Sequence, residues 1–308
     1  MRKKVLFISP NDWANSGFKY TEAVNQYSQK YECMYFALNE HQFGYYRTNI
    51  IIDKESGQIN HEVLNKLREY TQECDIIHCK ENSGFLASFE DVKFDIGKPI
   101  VQTFGGSVYR RHHKEVREKV GSVAQVFTVT TPDLVFDDEI LVPFAIDTFK
   151  YYPIEKSSDC IIIGHSPTNT EIKGTDAILD ILGKICEKYP YIFVNMQQGL
   201  KFNYAIELKR LNHIFIDQFK VNAYGNSAVE AMAFGSAVLA GSDSGASGFI
   251  NFDEGSLFDE LEYLVNDKDY LNGAMTEARK FCEKTHSYEA VAKKLDAVYD
   301  LALKREKR

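Results

Sequence analysis

The chain has 308 residues, enough for two α/β domains of about 150 residues each. With 44% hydrophobic residues, 26% charged residues and a formal net charge of −8, its composition is that of a globular protein. That balance argues against general nucleic-acid binding, which needs a net basic surface, and no run reaches the roughly 18 apolar residues of a membrane span.

The first apolar run, residues 5–9, leads into the polar loop 10–17, which carries Asn15, Ser16 and Gly17. A helical stretch from Phe18 to about Ser28 follows, and strand, glycine-bearing loop, helix is the opening of a doubly wound domain. Short apolar runs at 34–38, 76–78, 100–103, 126–129 and 140–142 predict further strands, with a clear helical pattern at 61–70. The alternation implies a mainly parallel sheet with helices on both faces. Residues 143–153 and the polar stretch 155–159 read as a linker. A second series follows: strand 160–164, helix 175–188, strand 192–196, helix 202–211, strand 214–217, helix 227–234 and strand 237–240. The predicted organisation is a Rossmann-like domain at 1–148, a second at 149–287, and a C-terminal helix at 288–308 that packs back on the first.

The six cysteines have no C-x-x-C spacing and predict free, mostly buried thiols. The start of the chain enters a strand without the apolar core of a signal peptide, which predicts a cytoplasmic protein. Asp267-Lys-Asp269 has a metal-binding spacing but sits in a polar turn between helices, so no metal site is expected. The densest basic cluster, Tyr109-Arg110-Arg111-His-His-Lys114, reads either as a solvated helix start or as a patch for an anionic acceptor or a membrane surface.

The most informative segment runs from Ile216 to Ala240. A strand ends at Asp217 and a helix begins near Ser227, whose free N–H groups suit an anion; Gly225 lets the loop approach a ligand closely. Ser227 is a candidate N-cap, with Glu230 three positions on at capping-box spacing.

Gly225-x-x-Ala228-Val229-Glu230-Ala231-Met232-Ala233-x-Gly235-x-x-Val238 resembles the donor-site signature of GT-B glycosyltransferases, close to the retaining family four. The resemblance implies an α/β fold of two Rossmann-like domains facing across a cleft. It also implies transfer of a sugar from a nucleoside-diphosphate sugar, with retention and without metal or other cofactor. Glu230 would hold the ribose, and Asn226, Ser227 and Ala228 would offer backbone donors to phosphate. Gly164-His-Ser-Pro-Thr-Asn-Thr-Glu-Ile-Lys173-Gly174 is similar to the segment whose lysine pairs with the diphosphate. Ser16 and Gly17 match the first loop near the donor phosphate, and Asp75-Ile-Ile-His78 matches a strand end whose histidine lines the acceptor side. Gly105-Gly-Ser-Val-Tyr-Arg110 and Thr131-Pro-Asp133 resemble further family turns and add Arg110 to the acceptor side.

Two departures stand out. Asn222 occupies the place of a glutamate that contacts the sugar, and no arginine precedes Lys173. The alternative reading is therefore a catalytically silent protein that keeps the fold to bind nucleotide sugars or to act as a scaffold. The acceptor is left open among glycan, lipid carrier, protein and small molecule, and Arg110, Arg111 and Lys114 are the candidates for peripheral membrane contact.

Overall fold

The computed structural model describes residues 1–53, 55–80, 97–120, 124–241 and 248–305. The chain divides into two compact units, Met1–Ala145 with Tyr288–Arg308, and Ile146–Ser287.

In the first unit, strands β1 (Lys3–Ser9), β2 (Tyr31–Ala37), β3 (Ile76–Lys80), β4 (Ile100–Phe104), β5 (Val126–Val129) and β6 (Ile140–Leu141) form one parallel sheet in the order β2-β1-β3-β4-β5-β6. Val5 through Ser9 are all buried, an uninterrupted run that a strand needs when both faces are covered. Helix α1 (Ser16–Tyr27) covers one face and α2 (His61–Glu73) the other, while α3 (Gly106–Val120) follows β4. The chain's last helix completes this core. Its residues Val291, Leu295, Val298, Tyr299 and Ala302 form a stripe at helical spacing and pack with Tyr20, Val24 and Tyr31. That helix runs over Tyr288–Lys304; residues 306–308 of the predicted element lie outside the described residues.

The second unit carries β7 (Ile161–His165), a single turn α4 (Thr170–Lys173), α5 (Thr175–Lys188), β8 (Ile192–Met196), α6 (Phe202–Arg210), β9 (Ile214–Ile216), α7 (Asn226–Ala233), β10 (Ala237–Leu239), α8 (Leu257–Asn266) and α9 (Lys268–His286). Its sheet is parallel, in the order β10-β9-β7-β8. Ile178, Ile181, Leu182 and Ile185 of α5 pack with Ile163, Ile192 and Ile214 of the strands. The predicted α/β class with parallel sheets is the one observed.

Strand order reverses direction between β1 and β3 in the first unit and between β7 and β9 in the second. In open parallel sheets the crevice at the carboxyl ends of such a strand pair is where ligands bind.

Candidate functional site

In the second unit the loops after β7 and β9 meet. Lys173 closes the turn α4, and its Nζ bonds to Asp217 Oδ1 just beyond β9, both side chains being nearly enclosed. The other oxygen, Oδ2, accepts the Gly225 N–H at 2.6 Å. The loop passes so close that a Cβ on Gly225 would lie 3.2 Å from Lys173 Nζ and 3.4 Å from Asp217 Oδ2. Gly225 thus serves close approach of its loop to the Lys173–Asp217 pair, whereas its place in the sequence predicts close approach to a ligand. Gly174 has φ +72°, a left-handed turn that lets α5 start directly after α4, and Phe219 packs where its side chain would be. Two predicted donor-site segments, far apart in sequence, are joined here through Asp217.

The helix start differs from the sequence expectation. Gly225, not Ser227, is the N-cap of α7, and no side chain caps this helix. The Ala228 N–H is engaged by Gly225 O at 3.1 Å, so it is not held out for a phosphate. Glu230 forms no capping box. Its Oε2 takes Lys209 Nζ at 2.7 Å and its Oε1 takes Asn226 Nδ2 at 2.6 Å, with Glu230 3% exposed and Lys209 2% exposed. Lys209 is carried by α6, where it and Ile206 are the buried positions, and its ammonium lies 5.4 Å from the Phe215 ring centroid. An ion pair this deep is held by its bonding geometry, because each charge alone would bear the full desolvation penalty.

Asn222 is exposed and lines a hollow of about 310 Å³ together with Lys220, Gly241, Asn251 and Asp253. Gln197, at the carboxyl end of β8, is 3% exposed with neither amide atom bonded to another protein group. Sequence reasoning did not point to Asp217, Lys209, Lys220 or Gln197 as functional. Lys209 carries a usable signal, a lysine in the apolar stripe of a helix one turn after Ile206, which calls for a buried carboxylate.

In the first unit several expectations are corrected. Gly17 is needed for packing: a Cβ there would lie 2.5 Å from the Phe7 ring. Its N–H and that of Phe18 each donate at 3.0 Å to the carboxylate of Asp12, so this helix end already holds an anion of the protein's own. Ser16 is fully buried in the first turn of α1 and its hydroxyl has no protein partner. Asp12 also receives Lys80 Nζ at 2.5 Å and Tyr35 Oη at 3.0 Å. Burial pulls the Asp12 pKa upward, but the charges of Lys80 and Arg47 and the donated hydrogen bonds outweigh it, and the net is a fall to about 2.

His78 does not line a surface. It is fully buried, with Nδ1 2.9 Å from Tyr299 Oη and Nε2 2.6 Å from Thr103 Oγ1, and burial lowers its pKa to about 3. Arg110 is taken by Asp133, Nε to Oδ2 at 2.6 Å, which links the two family-like turns to each other. Arg111 and Lys114 are exposed on α3, which bends at His112. Asp267 caps α9 by accepting from Tyr270 N at 2.9 Å. Among the described residues no group of three or more His, Cys, Asp or Glu could hold a metal, and no helix is long and apolar enough to cross a membrane. All six cysteines are free.

No protein-family model and no curated protein matches the sequence. Solved structures do. An α-glucosyltransferase in complex with UDP and a 13-mer DNA containing a HMU base matches at 12% identity over 99% of this chain and 100% of that one, with a TM-score of 0.67. HepE from Anabaena, in complex with UDP-glucose, matches at 11% identity over 96% and 99%, TM-score 0.62. A UDP-N-acetylglucosamine 2-epimerase matches at 12% identity over 100% and 99%, TM-score 0.57. The fold is therefore GT-B, built of two Rossmann-like units.

Proposed function

We propose that this chain is a glycosyltransferase that moves a sugar from a nucleoside-diphosphate sugar to an acceptor, with retention and without a metal or other cofactor. The observation that carries the reading is the convergence of Lys173, Asp217 and Gly225 at the point where the strand order of the second unit reverses. The leaving diphosphate lies against the start of α7, whose N-terminal dipole favours an anion and whose first turn no side chain caps. Asn226 and Ser227 amides and the Lys173 ammonium offset its charge, Lys173 exchanging part of its bond to Asp217 for phosphate oxygen. Glu230 positions the nucleotide through the ribose hydroxyls, which exchange with the Asn226 amide at 2.6 Å. Asn222 hydrogen-bonds the sugar as a neutral group. Solved proteins of the same fold carry UDP and UDP-glucose, which supports a nucleotide sugar as the ligand class.

Thermal melting against UDP, GDP, ADP, TDP and CMP tests the reading directly, because a ligand that binds only the folded state raises the midpoint by mass action. One nucleoside diphosphate should stabilise the wild type and lose that effect in Lys173→Ala. Failure of all of them to shift the wild type would sink the proposal.

A second reading has its own support. Lys173 and Glu230 are both committed to internal ion pairs, and Asn222 cannot supply charge to an oxocarbenium-like centre. A silent nucleotide-sugar-binding protein would bind the donor and release no sugar when donor breakdown is traced isotopically with acceptor extracts present.

A further inference from the structure

The loops at the carboxyl ends of β1 and β2 in the first unit carry an unusual set of aromatic side chains on a rigid frame. Trp13, in the loop after β1, is 59% exposed, and Tyr46, in the loop after β2, is 75% exposed. Trp13 meets the His41 ring edge-on at 6.3 Å, His41 meets Tyr45 at 4.6 Å and Phe43 at 5.3 Å, and Tyr46 stands edge-on to Phe18 at 5.8 Å.

These side chains do not sit on a loose loop. His41 Nε2 donates to Trp13 O at 2.6 Å while its Nδ1 accepts from Phe43 N at 3.0 Å, which fixes one tautomer. Burial lowers the His41 pKa to about 4, consistent with a neutral ring at physiological pH. Arg47 ties the two loops together, donating from Nε to Asn15 Oδ1 at 2.8 Å, from Nη1 to Asn39 O at 3.2 Å and from Nη2 to Asp12 O at 2.6 Å. Asn39 Nδ2 adds a bond to Asn11 Oδ1 at 3.2 Å. Exposing large aromatic faces costs solvation free energy, and anchoring them in advance removes the entropy cost of ordering them on binding.

From this arrangement we infer that the aromatic cluster of Trp13, Phe43, Tyr45 and Tyr46 is a saccharide-binding surface, and that the acceptor of the proposed transfer is a glycan. The inference rests on the sugar-transfer reading for the word acceptor, but not for the binding itself. The apolar face of a pyranose ring stacks on an aromatic side chain, and its hydroxyls need polar groups around the rim. Here the rim is polar: Asn11, Asn39, exposed Glu40 and exposed Gln42 flank the rings. A membrane surface would instead call for exposed, clustered cations beside the aromatics, whereas Lys19 and Arg47 are buried and the exposed polar neighbours are Glu40 and Gln42.

Trp13 is the only tryptophan of the chain, so its fluorescence reports on this surface alone. The intact protein is applied to a glycan array, and each glycan retained is titrated against Trp13 emission, with no nucleotide present. Saturable quenching or blue shift is expected in the wild type and, about threefold weaker in affinity, in Tyr46→Ala; the tryptophan-free Trp13→Ala, titrated beside the wild type by isothermal calorimetry, should bind about tenfold more weakly. Both side chains are exposed, so the melting temperature should not move, which separates lost binding from lost folding. Retention of no glycan by the wild type, or equal affinity in Trp13→Ala, overturns the proposal. So does capture by phosphatidylglycerol–phosphatidylcholine vesicles with a Trp13 blue shift and no glycan binding. Because the assay needs no donor, its failure leaves the nucleotide-sugar reading standing, and failure of nucleotide binding leaves this one standing.

Discussion

Both units place a buried lysine–aspartate pair where their strand order reverses, and they use it in opposite ways. In the first, Asp12 binds Lys80 and also accepts from Gly17 N and Phe18 N, the amide end of α1. In the second, Asp217 binds Lys173 and accepts only from Gly225 N, one residue before α7 begins. The first helix end is neutralised from within. The second keeps its N-terminal partial charge without a side-chain cap, and its lysine sits at the crevice. A fold that repeats one plan twice thus fills one helix start with a carboxylate of its own and leaves the other without a side-chain cap.

The comparison breaks most visibly at Asp12. Replacing it with alanine takes the Asp12 carboxylate from buried Lys80 and uncaps α1, and the expected loss is about 3–5 kcal/mol. Urea unfolding followed by circular dichroism measures it; a loss below about 1 kcal/mol would mean that the internal anion is dispensable. Lys209→Met should cost about 3 kcal/mol by breaking the buried ion pair with Glu230, and Lys209→Met with Glu230→Leu should recover part of that loss. A double mutant no more stable than the single would show that the pair is not the source of the cost.

Acid sharpens the contrast further. His78 is neutral in the folded core, with a pKa lowered to about 3 by burial, whereas the unfolded residue titrates near 6.5. Below pH 6.5 the unfolded chain therefore binds more protons, so stability falls as pH falls, by about 2–3 kcal/mol between pH 6.5 and 4.5 from this residue. His41 acts in the same direction with a pKa lowered to about 4. Asp12, with its pKa lowered to about 2, contributes stability that is lost only as pH drops below its unfolded value near 3.8. His78→Gln should flatten the pH 4.5–6.5 slope of the urea midpoint; an unchanged slope would assign it to other groups.

Local pattern and tertiary pairing divide what the amino-acid order reveals. Strand 126–129, helix 175–188 and strand 192–196 have the predicted bounds because apolar period and flanking turn residues agree there. Helices α8 and α9 are harder to see. The buried positions of α9 include Ala278, Cys282 and His286, too small or too polar to stand out from its exposed face. At the site, Lys173, Gly225 and Glu230 are legible as loop and helix positions. Their partners are not, because Asp217 lies 44 residues from Lys173 and Lys209 lies 21 from Glu230. His78 reads as a functional strand end for a similar reason: the hydroxyls of Thr103 and Tyr299 that satisfy it come from distant segments.

The effect of Lys173→Ala is smaller in free energy but more decisive for function. Turnover, once an acceptor is in hand, should fall at least about tenfold, or about 1.4 kcal/mol in the barrier, in a variant whose fold is verified by circular dichroism because buried Asp217 loses its lysine. Asp217→Asn provides the contrast. It keeps an oxygen acceptor but removes the charge that holds Lys173, so the nucleotide should be bound at least as tightly as in the wild type. Wild-type turnover in Lys173→Ala would remove the lysine from the mechanism.

The smallest expected effect tests the helix end itself. An N-cap serine replaced by alanine costs about 1 kcal/mol, and at capping-box spacing to Glu230 the sequence places Ser227 in that role. In the folded chain the cap is Gly225, and Glu230 bonds to Lys209 and Asn226 instead. Ser227→Ala should therefore change stability by less than about 0.5 kcal/mol. Nucleotide-induced stabilisation should also persist in this variant, since residue 227 would offer its backbone amide rather than its hydroxyl. A loss near 1 kcal/mol would restore the capping role to Ser227, and with it a first turn already satisfied by the protein and less open to an external anion.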